Sequence, residues 1–165
     1  MRCRVRELSL WLLVINLGIA CGAGLYESRV VIPEWSDLPV EQWPNTGLTF
    51  WVFVTTVPLT VLTFINAIVM TKDTYPRRRW WRNAVIVLGL ERVATFSYFI
   101  PRMIALMSGD ATRSEIEAGL SEWMALNHAR HALSLSAWLL ALKALSTPPG
   151  ATHLPHRNCH SRDMP

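Results

Sequence analysis

Two sets of polar residues stand at helical spacing inside long apolar runs of this 165-residue chain. Glu91, Thr95, Tyr98 and Arg102 follow one another at intervals of 4, 3 and 4; Asn127, His131, Ser134 and Trp138 repeat those intervals, with His128 and Arg130 beside them. Such intervals place side chains on one face of a helix. Histidine titrates near neutral pH and can act as a general base. Arginine and asparagine can hold a developing oxyanion in a dry site. The same groups can also pair with one another and tie helices together. Ionisable residues within a membrane span cost roughly 2.5–3.5 kcal/mol each at the helix centre on insertion scales, which makes both stripes candidates for function.

The elements that carry the stripes follow from composition. The chain is 51% apolar and 17% charged, with eight Trp and two Lys. The charged fraction lies below the quarter usual for soluble domains, and so much apolar surface excludes a chain disordered throughout. Gln42 to Thr71 contains no formal charge. A helix needs roughly 20 mainly apolar residues to cross a bilayer, and a chain of this size has no interior in which to hide one that is apolar on every side. Four spans are predicted, at about 8–26, 47–70, 83–107 and 123–145. Pro58 lies in the second, and Pro101 is expected to kink the third. The last two are amphipathic and turn their polar sides toward protein. The fold class is therefore all-α, an integral membrane four-helix bundle over residues 1–147, followed by a disordered tail over 148–165.

Charge sets the orientation. Arg2, Arg4, Arg6, Lys72, Arg77, Arg78, Arg79, Arg82, Lys143, Arg157 and Arg162, eleven of the sixteen basic residues, fall at the N-terminus, in the 71–83 loop and toward the tail. The other two loops carry mainly acids, Glu34, Asp37 and Glu41 in one and Asp110, Glu115, Glu117 and Glu122 in the other. Basic residues mark the cytoplasmic side, so both termini are expected there, in a multi-pass protein of the cell membrane. Arg77-Arg78-Arg79-Trp80-Trp81-Arg82 reads as an interfacial anchor, with lipid and not nucleic acid as its partner. Leu8–Tyr26 is longer than a signal-peptide core and is expected to be retained. Cys3 and Cys159 fall on the reducing side, and no disulfide is implied.

The first outer loop, Ser28 to Asn45, holds three prolines and two tryptophans and is expected to hug the interface. In the second, Ser114 and Glu117 fit a capping box that opens a short surface helix leading into span four. His153, His156, Cys159 and His160 have spacings that can gather round a soft metal, but a solvated tail is the simpler reading and no metal site is assigned. The geometry predicts an outer cavity lined by Glu27, Tyr98, Arg102, Asn127, Arg130 and one of His128 and His131. Glu91 faces it from nearer the cytoplasm, and Asn16 and Asn66 close the ring from the inner half.

Gly18-Ile19-Ala20-Cys21-Gly22-Ala23-Gly24-Leu25-Tyr26-Glu27, continued by Val30-Val31-Ile32-Pro33-Glu34-Trp35, resembles the first span of the anthrone-oxygenase-like family of small membrane proteins. Trp123-Met124-Ala125-Leu126-Asn127-His128-Ala129-Arg130 resembles the opening of that family's last span. The resemblance covers two of the four spans and implies a four-helix membrane bundle. Some members of the family oxidise a polyketide anthrone to an anthraquinone with O2. Glu27, Pro33, Asn127 and Arg130 are the positions that carry over. On that reading His128 or His131 removes an acidic ring proton, while Arg130 and Asn127 hold the resulting oxyanion. Glu27, Glu91, Tyr98 and Arg102 line the ligand site, the substrate is a small aromatic molecule, and the cofactor is left open. The alternative is a non-catalytic membrane protein, a ligand binder, a homo-oligomer or a partner subunit, whose intramembrane polar residues are structural. The sequence contains no His-Glu-x-x-His, paired-cysteine or phosphate-loop motif that would favour an enzyme.

Overall fold

The computed structural model describes residues 2–36, 38, 50–107 and 112–148, and every element among them is helical. Four rods result. The first is α1 (Arg2–Tyr26), continued through a π-helical segment (Glu27–Val31) into α2 (Ile32–Ser36). The second opens with a π-helical segment (Trp51–Thr56), continues as α3 (Val57–Val69) and ends in a 3-10 turn (Met70–Lys72). The third is α4 (Arg77–Ala94), a π-helical segment (Thr95–Phe99) and α5 (Ile100–Met107); the fourth is a single helix, α6 (Arg113–Ser146). The third rod packs along the fourth, the fourth along the first, the first along the second, and the second meets the third.

Three rods, over Arg4–Glu34, Trp51–Lys72 and Arg77–Met107, are long and apolar enough to cross a membrane, which makes the chain a membrane protein. Asn127, His128, Arg130 and His131 leave α6 less apolar than the other three. Large apolar side chains point outward along the rods: Phe53 and Phe64 are each 68% exposed and Ile68 is 67% exposed. Water would penalise such a belt heavily, whereas lipid is as apolar as the side chains themselves. The prediction for the tail, with His153, His156, Cys159 and His160, lies outside the described residues, as does most of the loop before Phe50.

Proline placement accounts for the irregular turns. Each π-helical segment ends two residues before a proline: Val31 before Pro33, Thr56 before Pro58, Phe99 before Pro101. Proline has no N–H, and its ring crowds the carbonyl four residues back. Those carbonyls belong to Arg29, Val54 and Ser97, and each lies inside the widened segment that relieves the crowding. The freed Val54 carbonyl finds a substitute donor on the neighbouring rod, Asn16 Nδ2 at 3.1 Å. Two expectations change as a result. The first rod does not stop at Ser28 but runs through Pro33 to Ser36, because the widened turn admits the proline. On the third rod Phe99 (5% exposed) follows Glu91 and Thr95 inward at a spacing of four, while Tyr98 is only half-buried.

The core has two parts. Leu10, Leu13, Leu17, Leu59, Trp81 and Leu88 interdigitate with Ala137, Ala141 and Ala144 of α6, whose small side chains let the helices approach closely. Toward the opposite end Ile32, Phe99, Leu120 and Trp123 form a second, aromatic cluster. At the arginine-rich end the buried Arg77 guanidinium bridges Glu7 at 2.5 Å and Asp73 at 3.0 Å, and Arg6 donates to the Lys72 carbonyl at 2.6 Å.

Helix α6 begins earlier than expected. Its N-cap is Thr112, which forms a capping box with Glu115, and Glu117 pairs with Arg113 at 2.9 Å instead of capping Ser114. The hydrogen bonds from the Thr112 hydroxyl and backbone N–H hold the Glu115 carboxyl below its usual titration range. The cap is thus complete at neutral pH and weakens as pH falls through the carboxylate range.

The Asn16 contact makes a test of this account. Asn16→Leu is expected to lower stability by about 1 kcal/mol by orphaning the Val54 carbonyl. In a Pro58→Ala background the residue 58 N–H is restored, and the same substitution should lower stability by less than about half as much. Thermal unfolding in detergent of the two single variants and the double variant measures both losses; equal losses in the two backgrounds would refute the substitute-donor account.

Candidate functional site

Two buried asparagines define the difference between the halves of the molecule. Asn66 is fully buried, and every polar atom of its amide is used: Nδ2 donates to the Ser9 carbonyl at 3.2 Å and the Leu62 carbonyl at 2.8 Å, while Oδ1 accepts from Trp81 Nε1 at 3.1 Å. It ties the first three rods together. Asn127, at 1% exposed, makes no close hydrogen bond through Nδ2 or Oδ1, and its amide has only a loose interaction with the Glu27 carboxylate. A buried amide without close partners is rare in proteins, and in lipid there is no solvent to supply them.

Asn127 is not alone. Glu27 Oε2, Arg130 Nε and His131 Nε2 are also buried without a close hydrogen bond. Glu27 lies on the first rod at its widened turn, and Asn127 and Arg130 approach it from α6. The Arg130 guanidinium stands 3.8 Å from the Glu27 carboxylate, near enough for attraction but too far for a hydrogen bond. Its carbon lies 4.9 Å from the centre of the Phe99 ring, a cation–π contact. Phe99 in turn meets Trp123 edge-to-face at 5.8 Å, and Trp123 Nε1 donates to the Phe99 carbonyl at 3.2 Å. The arrangement sets donors and acceptors that lack partners against an aromatic wall.

The remaining predicted site residues separate around this centre. Glu91 is satisfied: Arg92 donates to its carboxylate from Nε at 2.5 Å and from Nη2 at 2.7 Å, and Thr95 donates at 3.0 Å. It is a neutralised charge on the same rod, with no free oxygen for a ligand. Of the two histidines, His128 is exposed on α6, whereas His131 is half-buried against the first rod. A Cβ on Gly24 would come within 2.7 Å of His131 Nε2, so only glycine there admits the imidazole. Arg102 faces Glu122 at 3.6 Å, and Tyr98 lies beside that pair, not beside Glu27. A Cβ on Gly119 would meet Leu106 at 2.7 Å and Arg102 at 2.9 Å, which shows how closely the third and fourth rods approach at this end.

The predicted ring of asparagines does not close on the site: Asn16 serves the Val54 carbonyl and Asn66 the inner core. Sequence reading missed Phe99, Trp123 and Gly24 as site residues. The available signal for Phe99 was Pro101 two residues downstream; for Gly24 it was a small residue on the rod facing the histidines. Among the described residues no group of three His, Cys, Asp or Glu is placed to hold a metal ion, and Cys21 is a free thiol.

The chain matches no protein-family model, and no curated protein or solved structure is significantly similar to it.

The contrast between the two amides predicts opposite mutational signs. Asn66→Leu orphans Trp81 Nε1 and is expected to lower stability by about 1–3 kcal/mol. Asn127→Leu removes a buried amide that makes no close hydrogen bond and is expected to raise it by about 1 kcal/mol. Unfolding in a single detergent compares the pair; a loss at Asn127 equal to that at Asn66 would mean that Asn127 is interhelical glue.

Proposed function

We propose that the chain is a four-helix membrane bundle with both termini in the cytoplasm, which receives a small aromatic molecule bearing keto or phenol oxygens at the Glu27–Asn127–Arg130 cluster. The observation that carries this reading is the collection of buried, unpaired polar atoms beside Phe99 and Trp123. Asn127 Nδ2 and Arg130 Nε supply donors, Glu27 and Asn127 Oδ1 supply acceptors, and the aromatic wall supplies a face for a ring. An apolar molecule with a few oxygens reaches such a site from the bilayer without crossing water.

The resemblance noted for the first and last spans extends the reading to oxygenase-like chemistry. A base takes a proton from an acidic ring methylene, and Arg130 and Asn127 hold the enolate oxygen. O2 then oxidises the carbon, one oxygen atom staying as the new carbonyl and the other leaving as water. His131, turned toward the protein, suits the role of base better than the exposed His128. A second reading has direct support at Glu91 and Asn66, whose polar atoms are wholly absorbed by neighbours: the remaining polar residues are also structural, and the protein acts as a ligand binder or a subunit in a larger membrane assembly.

Mass spectrometry of the full chain purified in mild detergent separates these. The expected result is a stoichiometric aromatic small molecule that is lost in Arg130→Gln and Asn127→Leu variants of normal folded yield. A protein carrying lipid alone, with no aromatic probe retained on incubation with a hydroxylated anthrone, would exclude the aromatic site.

A further inference from the structure

At the end opposite the polar cluster, the first turn of α4 concentrates positive charge where a helix is least able to bear it. Arg77, Arg78 and Arg79 occupy that turn with no acidic residue among them, and the N-cap, Pro76, offers no side-chain cap. The positive end of the helix dipole adds to their charge. Arg77 is neutralised by Glu7 and Asp73. Among the described residues no carboxylate pairs with Arg78, Arg79 or Arg82, and all three are exposed.

With Tyr75 they line a groove of about 320 Å³. Positions 78, 79 and 82 are spaced so as to share one helical face, and Tyr75 joins them from the turn before the helix. That face continues along the rod as Ile86, Leu90 and Val93, which are 53%, 59% and 66% exposed. From Arg82 to Val93 the helix rises about 16 Å, close to half of a hydrocarbon core about 30 Å thick. Trp80, with the Arg79 guanidinium 5.7 Å from its ring centre, belongs at the headgroup level.

We infer that the Tyr75–Arg78–Arg79–Arg82 groove is a binding site for the phosphate of an anionic phospholipid, whose acyl chain lies along Ile86, Leu90 and Val93. The three guanidiniums fit a phosphate through paired N–H donors, which lysine cannot reproduce. The apolar stripe beneath them distinguishes a lipid from a soluble phosphate: the groove opens onto a track that only a molecule with a tail can fill. The site is independent of the ligand proposed for the Glu27–Asn127–Arg130 cluster.

The test uses the full chain reconstituted in nanodiscs of equal parts phosphatidylglycerol and phosphatidylcholine, with the ratio of the two lipids retained on the protein read by native mass spectrometry. The wild type should retain phosphatidylglycerol preferentially. Arg78→Gln/Arg79→Gln/Arg82→Gln should lower that preference by roughly tenfold or more, and the corresponding triple lysine variant should recover only part of it. A control, Lys143→Gln/Arg157→Gln/Arg162→Gln, removes the same charge from other positions and should leave the ratio nearly unchanged. Unfolding temperatures in pure phosphatidylcholine establish that each variant is folded, and Arg82→Gln alone is read should the triple glutamine variant fail. Equal retention of both lipids by the wild type, or an equal loss in the control, overturns the proposal. Displacement of phosphatidylglycerol by inorganic phosphate also overturns it, since the site would then take a soluble anion.

Discussion

A polar atom inside a bilayer can be satisfied only by the protein itself, and that constraint shapes every part of this molecule. The prolines show it most directly. Each of Pro33, Pro58 and Pro101 removes a backbone donor from its rod, and each is preceded by a widened turn. At Val54 the lost donor is replaced across the helix interface by Asn16. A residue type that reads as an interruption of an apolar run is thus the repair for a proline on the facing rod. Asn66 obeys the same rule more completely, joining three rods through a single amide whose hydrogen bonds are all made within the protein.

The unpaired cluster gains its meaning from that background. Buried polar atoms without a close partner occur toward Arg77 as well, at Thr74 Oγ1 and Trp138 Nε1, but those of Glu27, Asn127 and Arg130 gather in one cluster in the half around Asn127. All three widened turns lie on the latter side, on the rods that surround the cluster. Widened turns rotate the residues that follow them and spread neighbouring carbonyls, and they occur often at functional sites. Here one of them ends in Phe99, the ring on which Arg130 rests.

Much of this was legible in the sequence because hydropathy and charge act over long stretches. The uncharged run from Gln42 to Thr71 and the acid-free arginine cluster need no tertiary information to be read, and the helices over Trp51–Lys72 and Arg77–Met107 follow from them. Asn127, Arg130 and Glu27 were also legible, since a charged or amide side chain within an apolar helix must turn toward protein. What the sequence could not supply was the register after each proline. A 3.6-residue period brings Tyr98 and Phe99 both within about 60° of the Glu91–Thr95 line, so spacing alone does not choose between them. Pairing was equally hidden. Glu91 and Glu27 look alike as carboxylates in apolar helices, yet Arg92 and Thr95 absorb one while the other stands 3.8 Å from Arg130. Their difference lies in distances that no spacing rule encodes.

Charge balance constrains the chemistry that the cluster can support. Glu27 and Glu91 face Arg92 and Arg130, so the four formal charges sum to zero. A net charge held in low dielectric is far more expensive than a paired one. A ligand that arrived as an anion would leave the cluster with an excess negative charge, whereas a neutral ligand preserves the balance. If the ligand is deprotonated in place, its proton must remain within the cluster, and on the proposed reading His131, packed on Gly24, is the base that takes it. Transfer of the proton from ligand to imidazole then creates an oxyanion and an imidazolium together, and the sum of charges does not change. On the proposed reading, the substrate that suits this site is therefore a neutral, weakly acidic molecule drawn from lipid, not a carboxylate or phosphate drawn from water.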